Sequence, residues 1–337
     1  MIITRAPLRI SFVGGGTDLP AFYRKYPGRV ISVTVDKYVY AVVHPVPLVN
    51  KFIVRYSKVE WVSHPRELEH PSIREALLDL GIIDPGVEIG TFADLPAKTG
   101  LGSSSSFAAA LLKGLYTHLG KKLSPEEAAC AACRLELDML KEPIGKQDQY
   151  AAAYGGLNVI QFNEDDSVEV KPVFLDYKKS SPLEDHLILF FTGITRSASS
   201  ILKVQNVDMD EHLETYKKMS DSVFDFEKLL LTGDVEGMGE MLHEGWTSKK
   251  TLAGNITNSV IDSFYEAGRN AGAWGGKVLG AGGGGCVLFL ADPQKHNLIR
   301  KSVTKIASEN NLLDLGFKEV PIKFVQSGTE VLFHNEM

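Results

Sequence analysis

The sequence predicts an α+β fold in two domains, and three observations carry that reading. Strand-like and helix-like segments are mixed without the regular βαβ alternation of a doubly wound sheet. A glycine- and serine-rich loop at 100–106 runs straight into an apolar helix. A second glycine run, 280–285, joins two apolar segments and is followed by a strand-like Cys286-Val287-Leu288-Phe289-Leu290. The polar stretch Lys178–Glu184 is the candidate junction, which gives domains over 1–180 and 181–337.

Residues 2–12 and 29–45 alternate apolar and polar side chains in β-branched runs and read as strands, separated by Gly14-Gly15-Gly16-Thr17-Asp18. Further strands are expected at 51–62 and 87–92, then a helix over 103–119. The next helix has Ser124 as N-cap, Pro125 at its first position and Glu127 three residues after the cap. It should run to about Leu140, where Pro143 and Gly145 end it. A short helix over 147–154 precedes strands at 157–162, 168–174 and 187–192. The pattern from 197 to 272 is mostly helical, and a strand at 287–290, a helix at 294–308 and a final strand near 321–325 complete the chain.

Composition excludes several classes of function. With 337 residues, 44% apolar and 23% charged, the chain is an ordinary globular protein with a sizeable core. A net charge of −6 and the absence of basic runs with interleaved aromatics argue against nucleic acid and anionic membrane as partners. The N-terminus lacks the apolar core of a signal peptide, and the longest apolar stretch, 187–194, is too short to span a bilayer. Three cysteines fit a reducing compartment, so a cytoplasmic protein is expected. Cys130 and Cys133 form a Cys-x-x-Cys, but in an alanine-rich helix with no second ligand pair they read as small buried residues.

The loop Leu95–Phe107 contains Gly100 and Gly102 followed by Ser103, Ser104, Ser105 and Ser106. Glycine permits the tight turn, and the first turn of the helix leaves N–H groups without internal partners. Such a start suits a polyphosphate, with serine hydroxyls available to its metal ion. A linker would not continue directly into an apolar helix. Glu136 and Asp148 lie on either side of the Pro143–Gly145 break, which can turn both carboxylates toward one cleft. One carboxylate with a serine hydroxyl can complete the shell of Mg²⁺, and the other can orient a substrate hydroxyl. A solvated helix carboxylate is the alternative for Glu136. Arg9 either stabilises phosphoryl charge or forms a structural pair with Asp18. The run 280–285 formally satisfies G-x-G-x-x-G, but a strand follows it, so a loop in close backbone approach to a ligand or another loop fits better.

These residues resemble the GHMP kinases. Pro96 through Ser106 is similar to the second motif of that family, Ala6 through Asp18 to the first, and Lys277 through Gly285 to the third. The resemblance implies an N-terminal domain like domain 2 of ribosomal protein S5 and a ferredoxin-like C-terminal domain. It implies ATP and Mg²⁺, with Pro96, Gly100, Leu101, Gly102 and Ser103–Ser106 around the nucleotide phosphates and Ser104 with Glu136 on the metal. Asp148 and Arg9 take the catalytic positions. Gly15, Gly16, Thr17, Asp18, Arg196 and Gly282–Gly284 take the substrate positions. Galactokinase has Glu-His where this chain has Gly15-Gly16. Gly145–Tyr150, Thr195–Ala198 and His243–Trp246 with Lys249 resemble the branch that phosphorylates the anomeric hydroxyl of a heptose phosphate. A small sugar phosphate is therefore the expected partner, and a homodimer is compatible with the sequence. A phosphorylated substrate asks for a second anion site, for which Arg196, Lys249 and Lys37 are the candidates. Lys98 departs from the small residue usual in the second motif, and either contacts phosphate or points to solvent.

Overall fold

The computed structural model describes residues 1–195, 209–252 and 256–335 of the chain. The first sheet draws on β1 (Ile2–Val13), β2 (Gly28–Pro45), β3 (Phe52–Arg55), β4 (Val59–Val62), β5 (Val87–Ala93), β6 (Leu157–Phe162) and β7 (Val168–Pro172). Then follow β8 (Leu187–Phe191), β9 (Ala273–Val278), β10 (Cys286–Ala291), β11 (Lys318–Glu319) and β12 (Glu330–His334). An eight-stranded sheet has the order β12-β1-β2-β5-β3-β4, with β6 on β2 and β7 on β6; a four-stranded sheet has the order β11-β8-β10-β9. The α+β class holds.

β2 is 18 residues long and serves two partners along one edge. Its residues 39–45 pair with β5 and its residues 28–33 with β6, while β1 runs antiparallel along the other edge. The β1 register shifts between Pro7 and Leu8. Proline has no N–H to give the ladder, so the irregularity falls where a bond is already missing. Beyond it, alternation sends Leu8, Ile10 and Phe12 into the core and leaves Arg9 and Ser11 on the opposite face. Leu8, Ile10 and Phe12 share one apolar cluster with Leu189 and Phe191 of β8, Leu288 of β10, and Phe226 of the helix Leu213–Thr232. The two sheets thus close on a common core, with β1 at the seam.

Several expected elements come out differently. The stretch 51–62 is two strands joined by a turn, β3 and β4. The segment 321–325 contributes only an isolated bridge, Val35 to Phe324, and the last strand is β12, which pairs with β1. Thus the first sheet contains residues from both ends of the chain, a long-range closure that no local periodicity reveals. The polar stretch 178–184 lies within a helix, Tyr177–His186, between the two sheets. The helices Leu213–Thr232, Val235–Lys250 and Ser259–Asn270 occupy most of the described part of 197–272, and β9 starts directly after them. Cys133 is buried as expected, but Cys130 is exposed. No helix among the described residues is long and apolar enough to cross a membrane.

The antiparallel pair β9–β10 is closed by the 280–285 glycine run, which packs backbone to backbone on the 99–102 loop. The Cys286 N–H donates to the Thr99 carbonyl at 2.8 Å. Gly285 has φ +87°, and a Cβ there would stand 2.5 Å from the Thr99 carbonyl oxygen; at Gly100, φ +82°, it would stand 2.4 Å from that of Leu279. Both positions require glycine on two counts, backbone sign and space. Gly285→Ala should therefore lower unfolding stability by about 2 kcal/mol or more, in the range of strained-backbone substitutions. Equilibrium denaturation with an unchanged midpoint would show that the two loops are not locked together.

Candidate active site

The helix Ser103–His118 starts from Gly102, which is left-handed at φ +80° and offers no side-chain cap. The amides of its first turn are therefore open to an external acceptor, and the positive end of the helix faces the same way. Opposite it, the helix Pro125–Cys133 is fixed by a full capping box between Ser124 and Glu127. It does not continue as α-helix to 140 but widens into a π-helical turn, Arg134–Met139, that carries Glu136. Ser104 Oγ donates to Glu136 Oε1 at 2.6 Å; Ser105 Oγ and Gln149 Nε2 donate to Oε2, each at 2.7 Å. Glu136 is 2% exposed, so it is not a solvated surface carboxylate. Burial pushes its pKa up, against the pull of those three donors. Ser104 and Glu136 present a hydroxyl and a carboxylate oxygen side by side, the hard oxygen donors Mg²⁺ takes.

Asp148 lies in the first turn of the helix Gln147–Tyr154. Arg9, 3% exposed, grips it through two parallel bonds, Nε to Oδ1 and Nη2 to Oδ2, both 2.7 Å. Its Nη1 donates to the Gly100 carbonyl at 2.6 Å, and its main-chain N–H to the Leu101 carbonyl at 3.0 Å. Arg9 therefore pairs with Asp148 and not with Asp18. Asp18 instead accepts from the amides of Gly16 and Gln147 and from Gln147 Nε2, each at 3.1 Å. A Cβ on Gly145 would stand 2.0 Å from Asp18 Oδ2, so the break before Asp148 is also the space in which Asp18 sits. Burial, then the neighbouring Asp148 carboxylate, raises the Asp18 pKa.

These groups line one cavity of about 660 Å³. Arg9, Gly15, Gly16, Asp18, Gly100, Gly102, Ser103, Ser104, Ser105, Glu136, Asp148, Gly282 and Gly284 all reach it. Other sequence candidates are nearby but do not. Ser106 Oγ is turned to the Pro7 carbonyl, and the Thr17 hydroxyl bridges the Gly14 and Arg29 carbonyls. Leu101 is buried, Gly283 donates its N–H to the Ile256 carbonyl, and Pro96 lies outside the lining. These residues shape the loops rather than the cavity wall. Lys98 reaches the cavity from an exposed position, with a positive φ of 65°. Lys37 is bonded to Asp36 and is not in the wall, whereas Lys249 is; Arg196 lies outside the described residues. Sequence reasoning missed Ser11 and Gln147, cavity residues whose Ser11 Oγ and Gln147 Oε1 are buried without a partner. Their signals were the alternation that already placed Arg9, and adjacency to Asp148.

Residues 71–156 match the family described as GHMP kinases N terminal domain, and residues 226–308 that described as GHMP kinases C terminal. The chain is 30% identical over 313 residues to the D-glycero-alpha-D-manno-heptose 7-phosphate kinase of Campylobacter jejuni, covering 89% of this chain and 92% of that protein. It is 27% identical to the bifunctional fucokinase/GDP-fucose pyrophosphorylase of Arabidopsis thaliana, over 89% of this chain and 31% of that one. The crystal structure of a D-glycero-D-manno-heptose 1-phosphate kinase from Bacteroides thetaiotaomicron superposes with a TM-score of 0.80, at 25% identity and full coverage of both chains. Galactokinase of Lactococcus lactis shares the fold, at a TM-score of 0.77, 18% identity and 98% and 94% coverage. The motif loops, the shared cavity and these matches together place the chain in the GHMP kinase family, as a phosphotransferase of the sugar kinase type.

Proposed function

We propose that this enzyme transfers the γ-phosphoryl group of ATP to the anomeric C1 hydroxyl of D-glycero-D-manno-heptose 7-phosphate, a step toward nucleotide-activated heptose for surface glycans. The observation that carries the reading is the meeting, in one cavity, of the Arg9–Asp148 pair, the Ser104–Glu136 pair and the uncapped start of the helix Ser103–His118. The extensive similarity to the Campylobacter jejuni heptose 7-phosphate kinase supports the choice of sugar.

In this reading the amides of the helix start and the 100–106 loop hold the triphosphate. Ser104 and Glu136 would hold Mg²⁺, which would neutralise phosphate charge. Asp148 accepts a hydrogen bond from the sugar hydroxyl and takes its proton as the phosphoryl group leaves the nucleotide. Arg9 aims the Asp148 carboxylate through two parallel hydrogen bonds, and its guanidinium offsets charge on the transferring group. A loose transition state asks mainly for positioning and electrostatics, which these two residues supply from a rigid strand and a helix start. Asp18, with Ser11 Oγ and Gln147 Oε1 beside it, offers hydrogen-bonding atoms to the remaining sugar hydroxyls.

The test is ADP release from Mg-ATP across a panel of sugars and sugar phosphates. Preference for D-glycero-D-manno-heptose 7-phosphate is expected; preference for an unphosphorylated hexose such as fucose moves the enzyme to a neighbouring branch. Asp148→Asn should lower kcat by about 10²-fold or more while the protein still melts cooperatively. Near-normal turnover by that variant sinks the proposed role. Glu136→Gln keeps the side-chain shape, and it should raise the Mg²⁺ concentration needed for half-maximal activity by about 10-fold or more. An unchanged Mg²⁺ titration removes Glu136 from the metal.

A further inference from the structure

A second cavity, of about 470 Å³, adjoins the first. Gly15, Lys249 and Lys277 line both. Gly15 brings no side chain to the junction; a Cβ there would meet only Ser11 Oγ at 3.6 Å and the Gln147 side-chain amide at 3.9 and 4.0 Å.

The two lysines at this junction are unusual in their partners. Lys249, near the end of the helix Val235–Lys250, is 6% exposed and donates a hydrogen bond to the Gly280 carbonyl at 2.8 Å. Lys277, 8% exposed, donates to the carbonyls of Ser11 and Phe12 at 3.0 and 2.8 Å. Neither forms an ion pair with a carboxylate among the described residues. An ammonium has three N–H donors, so each retains at least one for a ligand. Burial pushes the Lys249 pKa down to about 8, and burial with the nearby Lys249 charge pushes Lys277 well down. The Asp18 carboxylate offsets part of the charge on Lys249 without forming a salt bridge, and an incoming anion offsets more of the cost of two adjacent buried cations. Thr215 and an exposed Lys218 also line the second cavity; among the described lining residues, the exposed Glu244 is the opposing charge.

We propose that the second cavity is the subsite for the phosphoryl group the sugar already carries, gripped by Lys249 with Lys277 behind it and Lys218 on the outer side. This rests on the reading of the substrate as a sugar phosphate. A phosphate at the far end of a seven-carbon sugar lies a sugar length from the anomeric hydroxyl, so it needs a pocket separate from that of Asp148. Lys249 and Lys277 line both cavities and so stand at the boundary between that pocket and the one that holds Asp148.

The nucleotide phosphates share this chemistry, and kinetics separates the two sources. Lys249→Met should lower the ratio of kcat/KM for D-glycero-D-manno-heptose 7-phosphate over the unphosphorylated heptose by roughly 10- to 100-fold, the range for losing a charge-assisted bond to a buried anion. The loss should fall mainly on KM for the sugar phosphate, with KM for ATP changed by less than about twofold. Lys218→Ser, an exposed change that spares the core, should lower the same ratio by a smaller factor, about 2- to 5-fold. Equal losses on both sugars, or a raised KM for ATP with an unchanged ratio, overturn the subsite. If Lys249→Met does not fold, an unchanged ratio in Lys218→Ser overturns it alone. Wild-type enzyme that uses heptose 7-phosphate, with both variants keeping its ratio, defeats the subsite and leaves the substrate reading standing. Wild-type enzyme that accepts only unphosphorylated sugars defeats both.

Discussion

The bidentate pair between Arg9 and Asp148 is the interaction around which the site is organised. It joins the middle of β1 to the first turn of the helix Gln147–Tyr154, and the third guanidinium nitrogen ties both to the Gly100 carbonyl. Strand, helix and phosphate loop, more than 130 residues apart at the extremes, are thereby held by one side chain. Its flat fork fits a carboxylate in two parallel bonds, which a lysine at that position does not reproduce. Removing one partner of so enclosed a pair leaves a buried charge uncompensated, a loss of about 3–5 kcal/mol in comparable settings. Structure and chemistry therefore bear on the same residues.

Around that pair, close approach is achieved by omission of side chains. Gly145 gives Asp18 its space, and Gly100 and Gly285 let two loops touch through their backbones. Each glycine costs conformational entropy on folding, and each permits an approach that a Cβ forbids. The polar residues between them are heavily buried but almost fully bonded. Glu136 accepts three side-chain donors, and Asp18 sits over the start of a helix. Ser11 Oγ and Gln147 Oε1 are among the buried atoms left without partners, and both belong to residues that line the cavity.

Burial acts in opposite directions on the two kinds of charge in this region. It raises Asp18 and Glu136 and lowers Lys249 and Lys277, so all four are drawn toward neutrality.

The sequence alone determined the α+β class, the glycine-serine helix start and the capped helix before Glu136. All of these are written in local pattern: alternation, a capping box, glycines beside serines. It also named Arg9, Asp18, Glu136 and Asp148 without deciding their partners. Tertiary structure decided that Arg9 takes Asp148 rather than Asp18, and that Glu136 is buried on a π-helical turn. It tied the Thr17 and Ser106 hydroxyls to main-chain carbonyls. It brought β12 back to β1 and set Lys249 and Lys277 against both cavities. Those outcomes depend on which distant segments meet, and pairing between distant segments is a property of the packed core that no stretch of local sequence contains.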